Sequence, residues 1–149
     1  MTASRRDQIG IQVVAVVNAA SAAVTLAFWS LGYLRLFAGG AITDPAARAS
    51  AAATLGFLVA DLVWALPLLI VSVPGLWRRR AWGWLCAQMA NVLWAYSMTA
   101  VWVRDAYSGS LSPGAVLLTP FAFFALWAAA YLWRVRGQFW AREQPGGAD

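Results

Sequence analysis

One carboxylate, two carboxamides and two indoles are the side chains in this sequence that could do chemistry where water is scarce. Asp61 lies deep in an apolar segment that continues as DLVWALPLLIVSVPGLWRRR to Arg80, and Asn91 and Asn18 sit inside apolar runs of their own. An aspartate in hydrocarbon costs about 2.5–3.5 kcal/mol on insertion scales, so it has to face a helix interior and either accept hydrogen bonds or hold a proton. Asn18, Ser21 and Thr25 fall at i, i+3 and i+7, and Gly83, Ala87, Asn91 and Ala95 recur every four residues, so each set shares one helix face. Small and amide residues at that spacing are what close helix packing and interhelical hydrogen bonds require. Trp64 lies one helical turn from Asp61 and Trp94 one turn from Asn91, which places aromatic rings beside the same polar groups.

Two readings follow from this set. In one, Asp61, Asn91 and Asn18 give polarity to a small apolar cavity walled by Trp64 and Trp94, suited to a hydrophobic cation, a lipid-like molecule or a proton. In the other, Asp61 bonds Asn18 or Asn91 only to fix helix register, a clamp that contributes ~0.6 to 2 kcal/mol per bond. Enzymatic chemistry is not expected. The chain has no histidine, its 11 basic residues are all arginine, and a single mid-membrane acid leaves neither a nucleophile–base pair nor an acid–base pair. Cofactors and metals are not expected either. Cys86 is the only cysteine, which excludes an intramolecular disulfide relay and a cysteine-based cluster, and without histidine haem, zinc and di-iron sites lose their usual ligands.

The elements that must position these residues are membrane helices. At 149 residues, 62% apolar and 11% charged, the chain is far from the roughly half-apolar, quarter-charged composition of a soluble domain. The expectation is an all-α integral membrane four-helix bundle, up-down-up-down, forming one domain over 1–140. Its spans are expected at about 11–34, 51–76, 81–103 and 113–133, with a short polar, disordered tail over 141–149. Asp44 before Pro45, and Ser112 before Pro113, each read as an N-cap followed by proline at the first helical position. Pro67 should kink the second span, and Pro120 offers a second kink in the fourth. The second helix is expected to start near Pro45 and run to about Trp77, ended by Pro74-Gly75, and Arg104-Asp105 is expected to close the third span. The first span is expected to be uncleaved, because its apolar run continues past Ala23 to Leu34, longer than a signal core. Phe139 and Trp140 are expected on the membrane surface.

Charge then sets orientation. The N-terminal segment holds two arginines, the Arg78–Arg80 turn three and the C-terminal tail three, against Arg35, Arg48 and Arg104 in the other connections. Eight against three puts both termini in the cytoplasm, with Arg78, Arg79 and Arg80 as topology and lipid-headgroup anchors. Trp77, Trp82, Trp84, Trp133 and Trp140 would mark the inner interface, and Trp29 and Trp102 the outer one. The pI near 10.4 therefore reports topology, and nucleic acid is not an expected partner.

The layout, four spans with Asp61-Leu62-Val63 and Pro67-Leu68-Leu69 in the second, an arginine-rich turn and Tyr96 in the third, resembles small uncharacterised four-span bacterial membrane proteins over most of the chain. That resemblance implies a multi-pass protein of the inner (plasma) membrane and brings no activity with it. The chain also resembles small multidrug-resistance transporters in having four helices and one membrane carboxylate. That family places a glutamate in the first span, where this chain has only Asn18, and the arginine bias runs against the dual topology associated with it. The leading expectation is a non-enzymatic binding or interaction module whose partners are the lipid bilayer, a hydrophobic or cationic small ligand, a second copy or another membrane protein. The alternative is a proton- or cation-coupled transporter working as a homo-oligomer.

Overall fold

A computed structural model of the chain describes residues 5–38, 40 and 42–140. Among them every regular element is a helix: α1 (Arg5–Ala38), α2 (Pro45–Ala60), a π-helical turn (Asp61–Ala65), α3 (Leu66–Trp77), α4 (Ala81–Ser108), α5 (Pro113–Arg134) and the short α6 (Gly137–Trp140). The tail expected over 141–149 lies outside the described residues. Three stretches, Arg5–Leu36, Pro45–Trp77 and Pro113–Arg134, are long and apolar enough to cross a membrane, which marks the chain as a membrane protein. The fourth expected span does not join them on composition. α4 has 28 residues, but Gln88, Asn91, Ser97, Thr99 and its tryptophans dilute its apolar content.

The helix starts are those the sequence encodes. Asp44 accepts a hydrogen bond from the Ala47 N–H at 2.7 Å and Pro45 follows it. Ser112 accepts from the Ala115 N–H at 3.2 Å and Pro113 follows. These side chains satisfy amides that the first turn of a helix leaves unpaired.

The second span is irregular where Pro67 demands it. Proline has no N–H, and its ring presses on the carbonyl four residues back, here that of Val63. The chain answers with a widened turn over Asp61–Ala65, in which the Leu66 N–H reaches back five residues to the Asp61 carbonyl. α3 then restarts with Pro67 in its first turn, where a missing N–H costs nothing.

The second span ends where expected: α3 runs through Pro74-Gly75 to Trp77. It ends in a Schellman closure in which Arg80 N–H donates to the Gly75 carbonyl (2.9 Å) and Arg79 N–H to that of Leu76 (3.1 Å), with Arg79 left-handed at φ 51. Glycine is the usual residue there, and an L-side chain in that region costs roughly 1–2 kcal/mol. Gly75 serves packing instead, facing Gly83 so closely that a Cβ on either would overlap the other's backbone. The expected end of the third span is corrected: Arg104-Asp105 does not end α4. The helix continues to Ser108 and is closed by Gly109 at φ 66, while Asp105 stays helical and reaches across to Ser112.

Packing is densest at the end that holds the Arg78–Arg80 turn. Ile11 and Val14 of α1, Leu76 of α3, Trp84 of α4, Leu132 of α5 and Phe139 of α6 form one buried cluster. The Trp84 indole donates to the Leu132 carbonyl at 2.9 Å, and the Tyr131 hydroxyl donates to the Asp7 carbonyl, also at 2.9 Å. Phe139 is 0% exposed, and Trp140 meets Trp84 edge-on at 5.1 Å. The expectation of a ring on the surface is thus corrected for Phe139, while Trp140 stays 45% exposed. Val135 and Arg136 turn the chain back beneath α5, so that burying the ring against Ile11 and Leu132 replaces exposure to the interface. Trp84 likewise belongs to this core and not to an interfacial belt. A smaller cluster of Ala22, Leu69 and Ala90 follows further along the helices, edged by Leu66 and Trp94.

Candidate functional site

Beyond that second cluster the helices stop filling the space between them. The C-terminal half of α1, α2 with the π turn, the C-terminal half of α4 and the start of α5 border a half-open cavity of about 440 Å³. That is within the range of ordinary small-molecule sites. Each helix presents one stripe to it: Thr25, Phe28, Trp29, Gly32 and Arg35 from α1; Thr54, Phe57, Asp61 and Ala65 from α2 and the π turn; Trp94, Ser97, Met98, Val101 and Arg104 from α4; Ser112 to Gly114, Leu117 and Leu118 from α5. Spacings of three and four residues keep every stripe on one helix face. α2 buries only Leu58, so its inward face borders the cavity with little packing behind it.

Among the described residues, Asp61 is the only carboxylate lining this space. Its Oδ2 accepts the Trp29 indole N–H at 2.8 Å, a bond between α1 and the π turn. The π turn sets where it points: one extra residue per turn rotates Asp61 and Ala65 onto the cavity, while Leu62, Val63 and Trp64 face outward. Oδ1 has no partner among the described residues and remains an acceptor.

The other residues singled out from the sequence scatter. Trp94 lines the cavity and stacks on Phe121 at 5.8 Å, as an aromatic wall should. Trp64 is 62% exposed and is no part of that wall, a correction that follows from the outward rotation of the π turn. Asn18 is buried but bonds elsewhere. Its Nδ2 donates to Ser72 Oγ at 2.9 Å, and that hydroxyl donates to the Leu69 carbonyl at 2.7 Å. Asn91 is 4% exposed, and its Nδ2 has no partner among the described residues. Neither amide bonds Asp61, so the expected Asp61–Asn18 or Asp61–Asn91 clamp is replaced by two separate contacts, Asn18 with Ser72 and Asp61 with Trp29. The physical reason is axial offset. Asn18 lies about 11 residues, or ~16 Å, below Trp29 on α1, too far for one carboxylate to serve both. Arg78, Arg79 and Arg80 stand at the opposite, packed end and take no part in the cavity.

Sequence reasoning missed Trp29, Arg35 and Arg104. A signal was present for the first, because extending the Asn18–Ser21–Thr25 stripe by one more turn reaches Trp29, a residue that its position near a span end marks equally well for an aromatic belt. At the rim a polar knot joins α4 to α5: Asp105 Oδ2 accepts Ser112 N–H and Oγ–H, each at 2.7 Å, and Oδ1 accepts Arg104 Nη2 at 2.8 Å. These bonds hold the Asp105 carboxyl below the usual carboxylate range, first the backbone and hydroxyl donors of Ser112 and then Arg104.

No family model, curated protein or solved structure matches this chain. What the cavity can do therefore rests on its own chemistry. It offers apolar and aromatic walls, one carboxylate with a free acceptor oxygen, and hydroxyls from Thr25, Thr54 and Ser97. Among the described residues no three His, Cys, Asp or Glu side chains gather into a group that could hold a metal ion.

Proposed function

We propose that the chain is a four-span protein of the bacterial inner membrane, with both termini and the Arg78–Arg80 turn in the cytoplasm, and that it works as a non-enzymatic binding module. Its ligand is a largely apolar, lipid-like molecule that enters the cavity and donates a hydrogen bond to Asp61. The observation that carries this reading is the cavity of about 440 Å³ with a single, half-satisfied carboxylate on its wall. A clamp alone needs no such space, and a pair of side chains already bonded at 2.8 Å does not require the helices to part around it.

Trp29 and Trp94 both line the cavity and make the test direct. A brominated, hydroxylated alkyl chain should quench tryptophan emission of the purified protein, saturably. Asp61→Asn keeps the shape and should weaken that binding by about tenfold, since a hydrogen bond to a charged group is worth roughly 1.5–3 kcal/mol. Unchanged binding with lowered thermal stability would leave Asp61 as a structural tie to Trp29.

The second reading is proton- or cation-coupled transport by a homo-oligomer. The π turn beginning at Asp61 favours it, because such turns leave a helix locally able to shift register. Flux into proteoliposomes that follows pH and disappears in Asp61→Asn is its requirement.

A further inference from the structure

The cavity is charged asymmetrically along its length. On α1 the lining stripe runs from Thr25 to Arg35, ten residues on, and on α4 from Leu93 to Arg104, eleven residues on. At about 1.5 Å per residue, each arginine stands some 15 Å along its helix from the start of the stripe. Both stripes are aromatic and aliphatic between their ends: Phe28 and Trp29 on one, Met98 and Val101 on the other. The two guanidiniums thus stand at the same end of a mostly apolar wall.

Of the two, Arg35 is not consumed by the fold, and Arg104 is tied to Asp105 through only part of its guanidinium. Arg35 has no ion-pair partner among the described residues. Arg104 directs Nε and Nη2 to Asp105 Oδ1, which leaves Nη1 unused, and its side chain is 53% exposed. Asp105 offsets the charge of Arg104, and Asp61, bonded to Trp29 six residues before Arg35, lies about 9 Å nearer the middle of the cavity, so the positive charge left at this end is that of Arg35. A cationic head would meet this excess at the end of the cavity where charge stays hydrated. An anionic head would find a two-armed guanidinium site there, the geometry that suits phosphate and carboxylate oxygens.

Resting on the binding reading above, we propose that the ligand is an anionic amphiphile. Its phosphate or carboxylate head lies between Arg35 and Arg104, its chain lies along Phe28, Trp29, Met98 and Val101, and a donor on the chain meets Asp61.

The test uses the full chain in detergent and three dibrominated probes that share one hydroxylated tail and differ in the head: phosphate monoester, neutral glycerol and trimethylammonium. Tryptophan quenching gives an affinity for each. The phosphate probe should bind about tenfold tighter than the glycerol probe, as expected for one charge-assisted contact. Arg35→Gln should remove most of that preference with the thermal midpoint of the protein unchanged, which shows the variant folded, and Arg35→Lys should restore part of it. Inorganic phosphate alone should not displace the probe. Equal affinity for the three heads overturns the anionic assignment and leaves the binding reading standing, and so does tightest binding of the trimethylammonium probe. Displacement by inorganic phosphate assigns the arginines to a soluble anion and also overturns the amphiphile. Failure of all three probes to quench overturns both readings together.

Discussion

The end built around the Arg78–Arg80 turn and the end that holds the cavity are made from the same helices by opposite means. At the first, glycine and alanine lie between the helices: Gly75 against Gly83, with Ala15, Ala87 and Ala128 buried nearby. Backbones approach until they touch, and Phe139 from the returning tail fills what remains. At the second, the facing residues are Phe28, Trp29, Phe57, Trp94 and Leu118. These rings and branches hold the helices apart without filling the space between them, and the π turn keeps α2 from closing it. Small residues give contact, and large residues on splayed helices give a cavity. The loops differ in the same sense. The α3–α4 turn is closed by backbone hydrogen bonds, the α4–α5 loop by a carboxylate.

The difference in packing between the two ends shows most strongly at Phe139. Truncating it to alanine should cost about 3–5 kcal/mol in detergent unfolding, since its ring is wholly buried in a well-packed cluster. Leu118→Ala, which enlarges a space already present, should cost about 1 kcal/mol or less. Equal losses would mean that the two ends are equally packed.

A pair of glycines sharpens it at smaller scale. Gly83→Ala should destabilise by about 1–3 kcal/mol, because the added methyl overlaps the Gly75 backbone and the α3–α4 hairpin has to open. Gly56→Ala adds its methyl to open space on α2 and should be neutral or stabilising by up to about 1 kcal/mol. Thermal midpoints of the two variants against the parent decide it, and a loss at Gly56 would place an unseen contact on α2.

The weakest effect separates the loops by pH. The Asp105 carboxyl is held low in the folded state, so the stability it supplies is complete above the ordinary aspartate pKa of about 4 and is lost as pH falls through its lower folded value. Hydrogen exchange should show the α4–α5 loop losing protection on acidification while the Arg78–Arg80 turn, closed by backbone bonds, keeps its own. Asp105→Asn should loosen the same loop at neutral pH. Parallel loss in both loops would assign the acid effect to the whole fold.

Much of the secondary structure was legible because its causes are local. Asp44 and Ser112 start helices where they precede Pro45 and Pro113, since the cap and the missing proline N–H act within one turn. Pro67 announced an irregularity, and only its form, a π turn instead of a simple kink, needed the structure. The end of the second span at Trp77 was legible, while that of the third was misread at Arg104-Asp105 because Asp105 has its partner across the loop, in Ser112. Asp61 stood out as a charge in an apolar run, and the aromatic wall at Trp94 was also expected. The bond to Trp29, the outward turn of Trp64 and the separate contact of Asn18 with Ser72 were not, because each depends on how far one helix slides and rotates against another.

Composition, caps and prolines act within a few residues, and they suffice for an all-helical membrane protein with an arginine-rich turn at one end and a carboxylate inside an apolar run. That the helices touch at one end and part at the other is set by packing between distant segments. That choice depends on which faces meet, and so on the rotation imposed by the π turn and on the match of Gly75 to Gly83.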